Sequence, residues 1–352
     1  MKTGIIGCGQ ISDTHIPFIK SHSSNPEIAI ADSNEFMLAK AGDKYGITQR
    51  FSSADALLQD FCPDVVHILT PPQTHFELCM KFMKAGCHIF LEKPMCMDSK
   101  EAHALAAEAK VQGLILCVDH NHRFDPYMLK AKKLFESGAI GDLCSIESYY
   151  GFDLGTNPGS RYFREAYTHW AYRMPGGLFQ NLIDHPLYQA LDYMDSPSSI
   201  EAFSHEKGIM PGGVPDELRI FMRDEKCTAH ITVSLAVSPR AHYFKLAGTK
   251  GTIFVDFVNQ YTFLYKHSKG PKAISRALMN ITSGLLLIFS TVTQVFKVIA
   301  GRFTTYPGTE IIIHQMYDAI LNGTKPPVSL DQAVKVLEIS DIVWDKISYP
   351  KF

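Results

Sequence analysis

The chain has 352 residues, 46% hydrophobic and 20% charged, which suits roughly two domains with sizeable cores. A formal charge of −2 leaves no electrostatic footprint for nucleic acid. Eight cysteines (8, 62, 79, 87, 96, 117, 144 and 227) form neither a C-x-x-C pair nor a zinc spacing and read as reduced thiols of a cytoplasmic protein, with no signal peptide ahead of the first strand.

Thr3–Ile6 is a short apolar strand, followed by Gly7-Cys8-Gly9-Gln10-Ile11-Ser12 and helix-compatible sequence to Lys20. This is G-x-G-x-x-G with Ser at the last position. The first glycine permits the tight turn, the second lets the backbone approach a pyrophosphate, and the third position needs only a small residue. Gly7, Gly9, Gln10 and Ile11 are therefore candidate cofactor contacts, with phosphates on the helix N-terminus. A second strand, Ile28–Ala31, ends at Asp32, the position of an acid that binds the adenosine ribose. Ser33 and Asn34 follow with no Arg to receive a 2′-phosphate, so NAD is favoured over NADP.

Strand–helix alternation continues. Ala54–Asp60 reads as a helix and Val65–Leu69 as a strand broken by Thr70-Pro71-Pro72. His75–Ala85 is amphipathic, and Cys87–Leu91 is a buried parallel strand stopped at Glu92-Lys93-Pro94, because Pro94 cannot donate to a ladder. Lys93 then lies at the carboxyl edge of a sheet, where open α/β folds bind ligands. Ser99–Gln112 is a helix with Ser99 as its expected cap, and Leu114–Val118 is a strand leading into Asp119–Pro126. These repeats predict a doubly wound parallel Rossmann sheet. His120 and His122 lack a third ligand nearby, so no metal is expected.

Gly7-x-Gly9, Thr70-Pro71-Pro72-x-x-His75, Ala85-Gly86, Glu92-Lys93-Pro94 and Asn121-x-Arg123-Phe124-x-Pro126 occur in order. Together they resemble the Gfo/Idh/MocA oxidoreductases, the glucose–fructose oxidoreductase and inositol dehydrogenase family. The resemblance implies that Thr70, Pro71, Pro72, His75, Glu92, Lys93, Asn121 and Arg123 line the cofactor, beside Asp32 and Ser33. It also implies a homo-oligomer, dimer or tetramer, assembled on a second domain.

From about residue 125 the texture changes. Tyr127–Ser137 reads as a helix, and Leu143–Tyr150 opens a strand-rich region. Further strands are predicted at Glu217–Arg223, Cys227–Val237, His242–Ala247, Thr252–Phe257 and Tyr261–Lys266. The expected architecture is an α/β chain: a Rossmann domain over 1–123, then an α+β domain over 124–352 with a large, open, mostly antiparallel sheet for substrate and oligomer contacts. Gly176–His185 is the second chemical centre. In the family a double glycine leads into a helix carrying Asp and, four residues on, His. Here His185 is kept but Asn181 stands in the Asp position, able to orient an imidazole but not to stabilise its cation by charge. Asp184 points about 100° away on a helix. Upstream, Arg161, Arg164, Tyr167, His169 and Trp170 make a segment rich in the side chains that bind phosphate and stack on sugars. This segment resembles family members of bacterial polysaccharide and nucleotide-sugar pathways.

Leu278, Ile281, Leu285, Ile288, Val292, Val295 and Ile299 repeat at three–four spacing. Interspersed polar residues argue against a membrane span, and the seam is expected to pack on the domain or a subunit interface. Lys266, Lys269, Lys272 and Arg276 before it keep weak membrane-surface contact as an alternative.

The sequence reading is thus an NAD-dependent oxidoreductase acting on a sugar that carries a nucleotide or phosphate. Lys93 is expected to polarise the reacting oxygen and His185, with Asn181, to move its proton. Arg161, Arg164, Tyr167, His169, Trp170 and Asp184 are expected to contact the sugar. An NAD-dependent glycosidase of the same fold and a non-catalytic NAD sensor are the alternatives.

Overall fold

A computed structural model of the chain describes residues 1–154, 168–266, 271–301 and 303–350. It divides into two compact units: Met1–Phe124 with Tyr306–Asp341, and Asp125–Thr305 with Ile342–Phe352.

In the first unit, strands β1 (Lys2–Ile6), β2 (Glu27–Ala31), β3 (Gln49–Phe51), β4 (Val65–Ile68), β5 (His88–Leu91) and β6 (Leu116–Val118) form one parallel sheet in the order β3-β2-β1-β4-β5-β6. This is the doubly wound dinucleotide-binding order, with its switch point between β1 and β4. Helices α1 (Ser12–Ser21), α2 (Glu35–Tyr45), α3 (Ala54–Phe61), α4 (His75–Lys84) and α5 (Ser99–Gln112) supply the crossovers. Asp98, rather than Ser99, caps α5, its carboxylate accepting from the Glu101 amide at 2.9 Å. The central strands are buried on both faces, as the continuous Val65–Ile68 run requires.

The units are not continuous in sequence, because the chain returns to the first after residue 305. Helices α6 (Pro126–Glu136) and α7 (Gly177–Leu191) belong to the second unit, α8 is Lys272–Ile299, and α9 (Pro307–Asn322) comes back to the first. Ile312, Ile313, Met316 and Tyr317 of α9 share one core with Ile5, Ile16, Ile30 and Phe90. Tyr317 also completes a buried polar chain. Its hydroxyl lies 2.8 Å from His67 Nε2 and 3.2 Å from Thr3 Oγ1, and His67 Nδ1 faces His15 Nδ1 at 3.2 Å. Helix α10 (Leu330–Lys346) straddles the division between the units, which falls after Asp341.

The second unit carries a seven-stranded sheet in the order β13-β12-β11-β7-β10-β9-β8. Its strands are β7 (Leu143–Asp153), β8 (Ser199–His205), β9 (Glu217–Arg223), β10 (Thr228–Ser234), β11 (Ala236–Gly248), β12 (Gly251–Asp256) and β13 (Tyr261–Tyr265). All neighbours are antiparallel except β7 and β10. Strand β8 has no counterpart in the sequence reading, since Ser199–His205 lacks a regular apolar alternation.

Of the two expectations for the seam on α8, packing on its own domain is not met: Ile281, Leu285 and Ile288 are 58%, 61% and 63% exposed, whereas Ser275 and the half-buried Ser283 and Ser290 face inward.

Two outcomes follow from this core. Met316→Ala, at a fully buried position, is expected to destabilise the first unit by about 2–5 kcal/mol in denaturant titration. A loss near zero would mean that α9 is not part of the Rossmann core. Burial first, and the His15 charge second, hold His67 well below the ordinary histidine value of 6.5. A histidine depressed in the folded state binds fewer protons than in the unfolded chain. Its contribution is therefore present above 6.5 and is lost as pH falls below it, by about 1.4 kcal/mol per pH unit. Melting followed from pH 8 to 5 should show this slope, and His67→Gln should flatten it.

Candidate active site

In the first unit the strand register brings the predicted residues to one edge. Ile6 pairs with Ile68, Ile68 with Leu91, and Leu91 with Val118. The ladder runs one residue further, through Leu69 N to Ile6 O, Glu92 N to Ile68 O and Asp119 N to Leu91 O. Gly7, Thr70, Glu92-Lys93 and Asn121 therefore emerge together from adjacent strand ends, flanking the switch point where such sheets bind ligands.

Gly7 has φ +99°, and a Cβ there would meet the Leu69 carbonyl at 3.0 Å, so the turn requires glycine. A Cβ on Gly9 would meet nothing within 4 Å, which leaves its backbone open to a ligand. Ser12 donates to the Gly9 carbonyl at 2.7 Å and pins the turn onto α1, whose first turn contains Asp13, with the partly exposed Gln10 and Ile11 just before it. Asp32, at the end of β2, accepts from the amides of Cys8 (2.7 Å) and Asn34 (2.8 Å). It thus lies against the glycine turn, beside the exposed Ser33. The cap of α2 is Asn34, accepting from Met37 N at 3.1 Å, so Asp32 is not spent on capping. These residues fit a dinucleotide: an open glycine backbone, a helix N-terminus and an acid on one edge.

His75 lies between two turns, its Nε2 2.8 Å from the Thr70 carbonyl and its Nδ1 3.0 Å from that of Pro94. It ties Thr70-Pro71-Pro72 to the Lys93-Pro94 turn, and burial lowers its pKa. Glu92 accepts from the Lys93 amide at 3.1 Å and lies 3.1 Å from His15 Nε2. Burial pushes the Glu92 carboxyl up, but the His15 hydrogen bond and the charges of His15 and Lys93 outweigh it, so its pKa falls below the ordinary value. His15, Glu92 and Asp119 bring ligand atoms within 4.8 Å, but the direct His15–Glu92 hydrogen bond already occupies the pair. Asn121 donates to Thr309 Oγ1 at 3.0 Å and Arg123 to Gln332 Oε1 at 3.4 Å, so both also hold the returning segment.

The second unit carries the other predicted centre. Asn181, Asp184 and His185 are all buried on α7. Asn181 and His185 are one turn apart. His185 Nδ1 lies 2.8 Å from the Tyr188 hydroxyl, and the Tyr150 ring approaches edge-on at 5.4 Å. The double glycine that opens α7 is set by packing: a Cβ on Gly176 would strike the Trp344 indole at 2.5 Å, and one on Gly177 (φ +53°) would overlap the Tyr349 ring. The Tyr349 hydroxyl accepts from Leu178 N at 3.1 Å. His169 is buried and its Nδ1 accepts from Ala171 N at 3.2 Å, with the Trp170 ring 5.1 Å away. Arg161, Arg164 and Tyr167 lie outside the described residues.

The predicted residues thus fall into two groups, Gly7 to Arg123 in the first unit and His169 to His185 in the second. Sequence reasoning overlooked the supports behind them: His15, His67 and Tyr317 behind Glu92, Tyr188 behind His185, and Trp344 and Tyr349 under the double glycine. One signal was present. His67 sits inside Val-Val-His-Ile-Leu, and a polar residue in a strand buried on both faces demands a partner.

Residues 1–120 match the model of an oxidoreductase family with an NAD-binding Rossmann fold, and residues 128–254 match the C-terminal domain of the same family. Among curated relatives, the myo-inositol 2-dehydrogenase of Thermotoga maritima is 31% identical over 40% of this chain and 42% of its own length. The D-glucoside 3-dehydrogenase of Escherichia coli is 28% identical over 41% of each. The chain spans about half the length of the curated relatives it matches. Among solved structures, the WlbA dehydrogenase of Bordetella pertussis in complex with NADH and UDP-GlcNAcA has a TM-score of 0.77 at 20% identity, over 98% of this chain and 95% of that one. Levoglucosan dehydrogenase in complex with NADH and levoglucosan has a TM-score of 0.76 at 20% identity, over 98% and 96%. Both family domains being present in order and covering most of the chain, the protein belongs to the Gfo/Idh/MocA oxidoreductase family.

Proposed function

We propose that the protein is an NAD-dependent oxidoreductase that interconverts a sugar hydroxyl and the corresponding ketone, on a sugar carrying phosphate, most simply a nucleotide sugar. The observation that carries the reading is Lys93, at the carboxyl end of β5 on the same sheet edge as the Gly7–Ser12 turn, its amide held by Glu92. Bound NAD supplies the hydride acceptor. Lys93 hydrogen-bonds the reacting oxygen and stabilises the charge that develops on it. His185 takes the hydroxyl proton at Nε2. The tautomer that serves this role carries its hydrogen on Nδ1, donated to the Tyr188 hydroxyl. Asn181 on the same helix face orients without adding charge, so Tyr188 shares the orienting task. Arg161 and Arg164 provide planar, bidentate donors for phosphate, and Tyr167 and Trp170 aromatic faces for a sugar or base. The complex of WlbA with a nucleotide sugar supports this substrate class, and the D-glucoside 3-dehydrogenase and myo-inositol 2-dehydrogenase among the relatives define the competing one, a free polyol or glycoside.

Thermal-shift and NADH-formation assays across sugar nucleotides and free sugars test the reading directly, because a true ligand raises the melting temperature with its concentration. Lys93→Met is expected to lower kcat about 100-fold or more with NAD affinity nearly unchanged. A variant that keeps full activity would place the chemistry elsewhere. Asp32 would repel a 2′-phosphate, so Asp32→Ala should weaken NAD more than NADP. Tighter binding of NADP than NAD to the unmodified protein would reverse the cofactor assignment. Arg161→Ala or Arg164→Ala should raise KM for the nucleotide sugar by roughly ten- to a hundredfold, as for a lost charge-assisted contact. Equal KM values for free and nucleotide-linked sugar, unaffected by either change, would remove phosphate from the substrate.

A further inference from the structure

Helix α8 is amphipathic with its faces exchanged. It runs unbroken for 28 residues, about 42 Å. The side turned to its own unit is mostly polar: Ser275 is buried, and Ser290 and Gln294 both donate to the Asn259 carbonyl, at 3.4 and 2.6 Å. The side turned to solvent is apolar, with Ile281, Leu285, Ile288, Phe289, Phe296 and Ile299 between 58% and 76% exposed. A surface helix of a soluble protein places these faces the other way round. We propose that α8 is an interfacial anchor, which lays this apolar face on an anionic lipid surface and leaves its polar face on the protein.

Three observations select a membrane surface over other occupants. The first is charge. Between Asp256 and Glu310 there is no Asp or Glu, while six of the 34 Lys and Arg fall there, at positions 266, 269, 272, 276, 297 and 302. The described ones lie at the two ends of the helix, Lys266 before it, Lys272 and Arg276 in its first turns and Lys297 in its last, with Arg276 and Lys297 in line with Ser283 and Ser290 on the polar face. An otherwise acidic chain thus turns cationic around a long exposed apolar helix, the complement of an anionic headgroup layer.

The second is the width of the apolar face. The stripe from Leu278 to Ile299 has the spacing of a coiled-coil seam, but a two-stranded coil covers only that narrow seam and places charged side chains beside it. Here Phe289, Phe296 and Val298 flank the seam, and Leu287 lies beyond it. All are exposed, and the remaining flanking positions are Ala277, Thr282, Gly284 and Thr291. The apolar arc spans roughly 120°, the breadth of a helix lying in an interface rather than of a seam. A second copy would also set like charges against like at the helix ends.

The third is chain topology. By length and composition the helix is long and apolar enough to cross a bilayer. The first unit, however, is built from chain both before α8 (Met1–Phe124) and after it (Tyr306–Asp341). Both ends of α8 therefore lie on the same side of any membrane, and an unbroken helix cannot cross once and return. It lies in the surface, with its apolar side chains buried about 5–10 Å into the headgroup–acyl boundary.

The test is flotation of the full-length protein with vesicles of phosphatidylcholine alone or mixed with phosphatidylglycerol. Floating with the mixed vesicles, and loss of binding at high salt, are expected. Lys272→Glu with Arg276→Glu should weaken binding at least about fivefold for each charge removed. Leu285→Asp with Ile288→Asp should abolish it while leaving the melting temperature unchanged, because both side chains already face solvent. A Phe289→Trp reporter does not depend on those variants folding: its emission should shift to the blue on mixed vesicles and be quenched by brominated lipid. Absence of quenching, or binding to both vesicle types indifferent to salt, would overturn the proposal. So would a stable dimer in sedimentation that the Asp pair dissociates while vesicles capture nothing, since a second copy would then cover the face.

Discussion

The first unit depends on a buried chain of hydrogen bonds that begins at Thr3 and Tyr317 and passes through His67 and His15 to Glu92. A polar side chain within a strand covered on both faces costs free energy unless it is paired. His67 stands in that position on β4, and its partners come from α1 and from a helix over 200 residues away in sequence. The pairing has two consequences. It draws α9 into the Rossmann core, so that the unit closes only after residues 306–341 return. It also reaches Glu92, whose carboxylate holds the Lys93 amide. The position of the proposed catalytic lysine therefore rests on a polar network in the middle of the core.

The second unit follows a similar logic with packing in place of hydrogen bonds. Trp344 and Tyr349 press on Gly176 and Gly177 so closely that no side chain fits there, and the Tyr349 hydroxyl takes the Leu178 amide at the start of α7. The helix entry is thereby fixed, and with it the depth of Asn181, Asp184 and His185. Tyr188, three residues beyond His185, supplies a hydrogen-bond partner at Nδ1.

Much of this was legible in the sequence because its signals are local. The glycine turn, the stop at Lys93-Pro94, the acid after β2 and the one-turn spacing of Asn181 and His185 each depend on a few neighbouring residues and on the geometry of a strand end or helix turn. The alternation of apolar runs with amphipathic helices was enough to predict a parallel sheet, and the short strands beyond residue 143 a mostly antiparallel one. The cap of α5 was displaced by a single residue because Asp98 and Ser99 both have the chemistry of a cap, and only the backbone decides between them.

What the tertiary structure decided concerns partners distant in the chain and directions that periodicity does not carry. The spacing from Leu278 to Ile299 establishes that those residues share one helix face, but not whether that face turns toward the protein; the hydrogen bonds of Ser290 and Gln294 to Asn259 turn it outward. No local signal marks residues 306–341 as part of the first unit, because their affinity for it resides in shape and in the Tyr317–His67 contact. The sequence by itself determined the cofactor turn, the order of elements and the candidate chemistry, since these follow from short-range backbone geometry. The returning helix, the buried supports of Lys93 and His185 and the outward face of α8 were settled only by long-range packing, where the cost of an unpaired buried polar group selects among arrangements that the local pattern leaves equal.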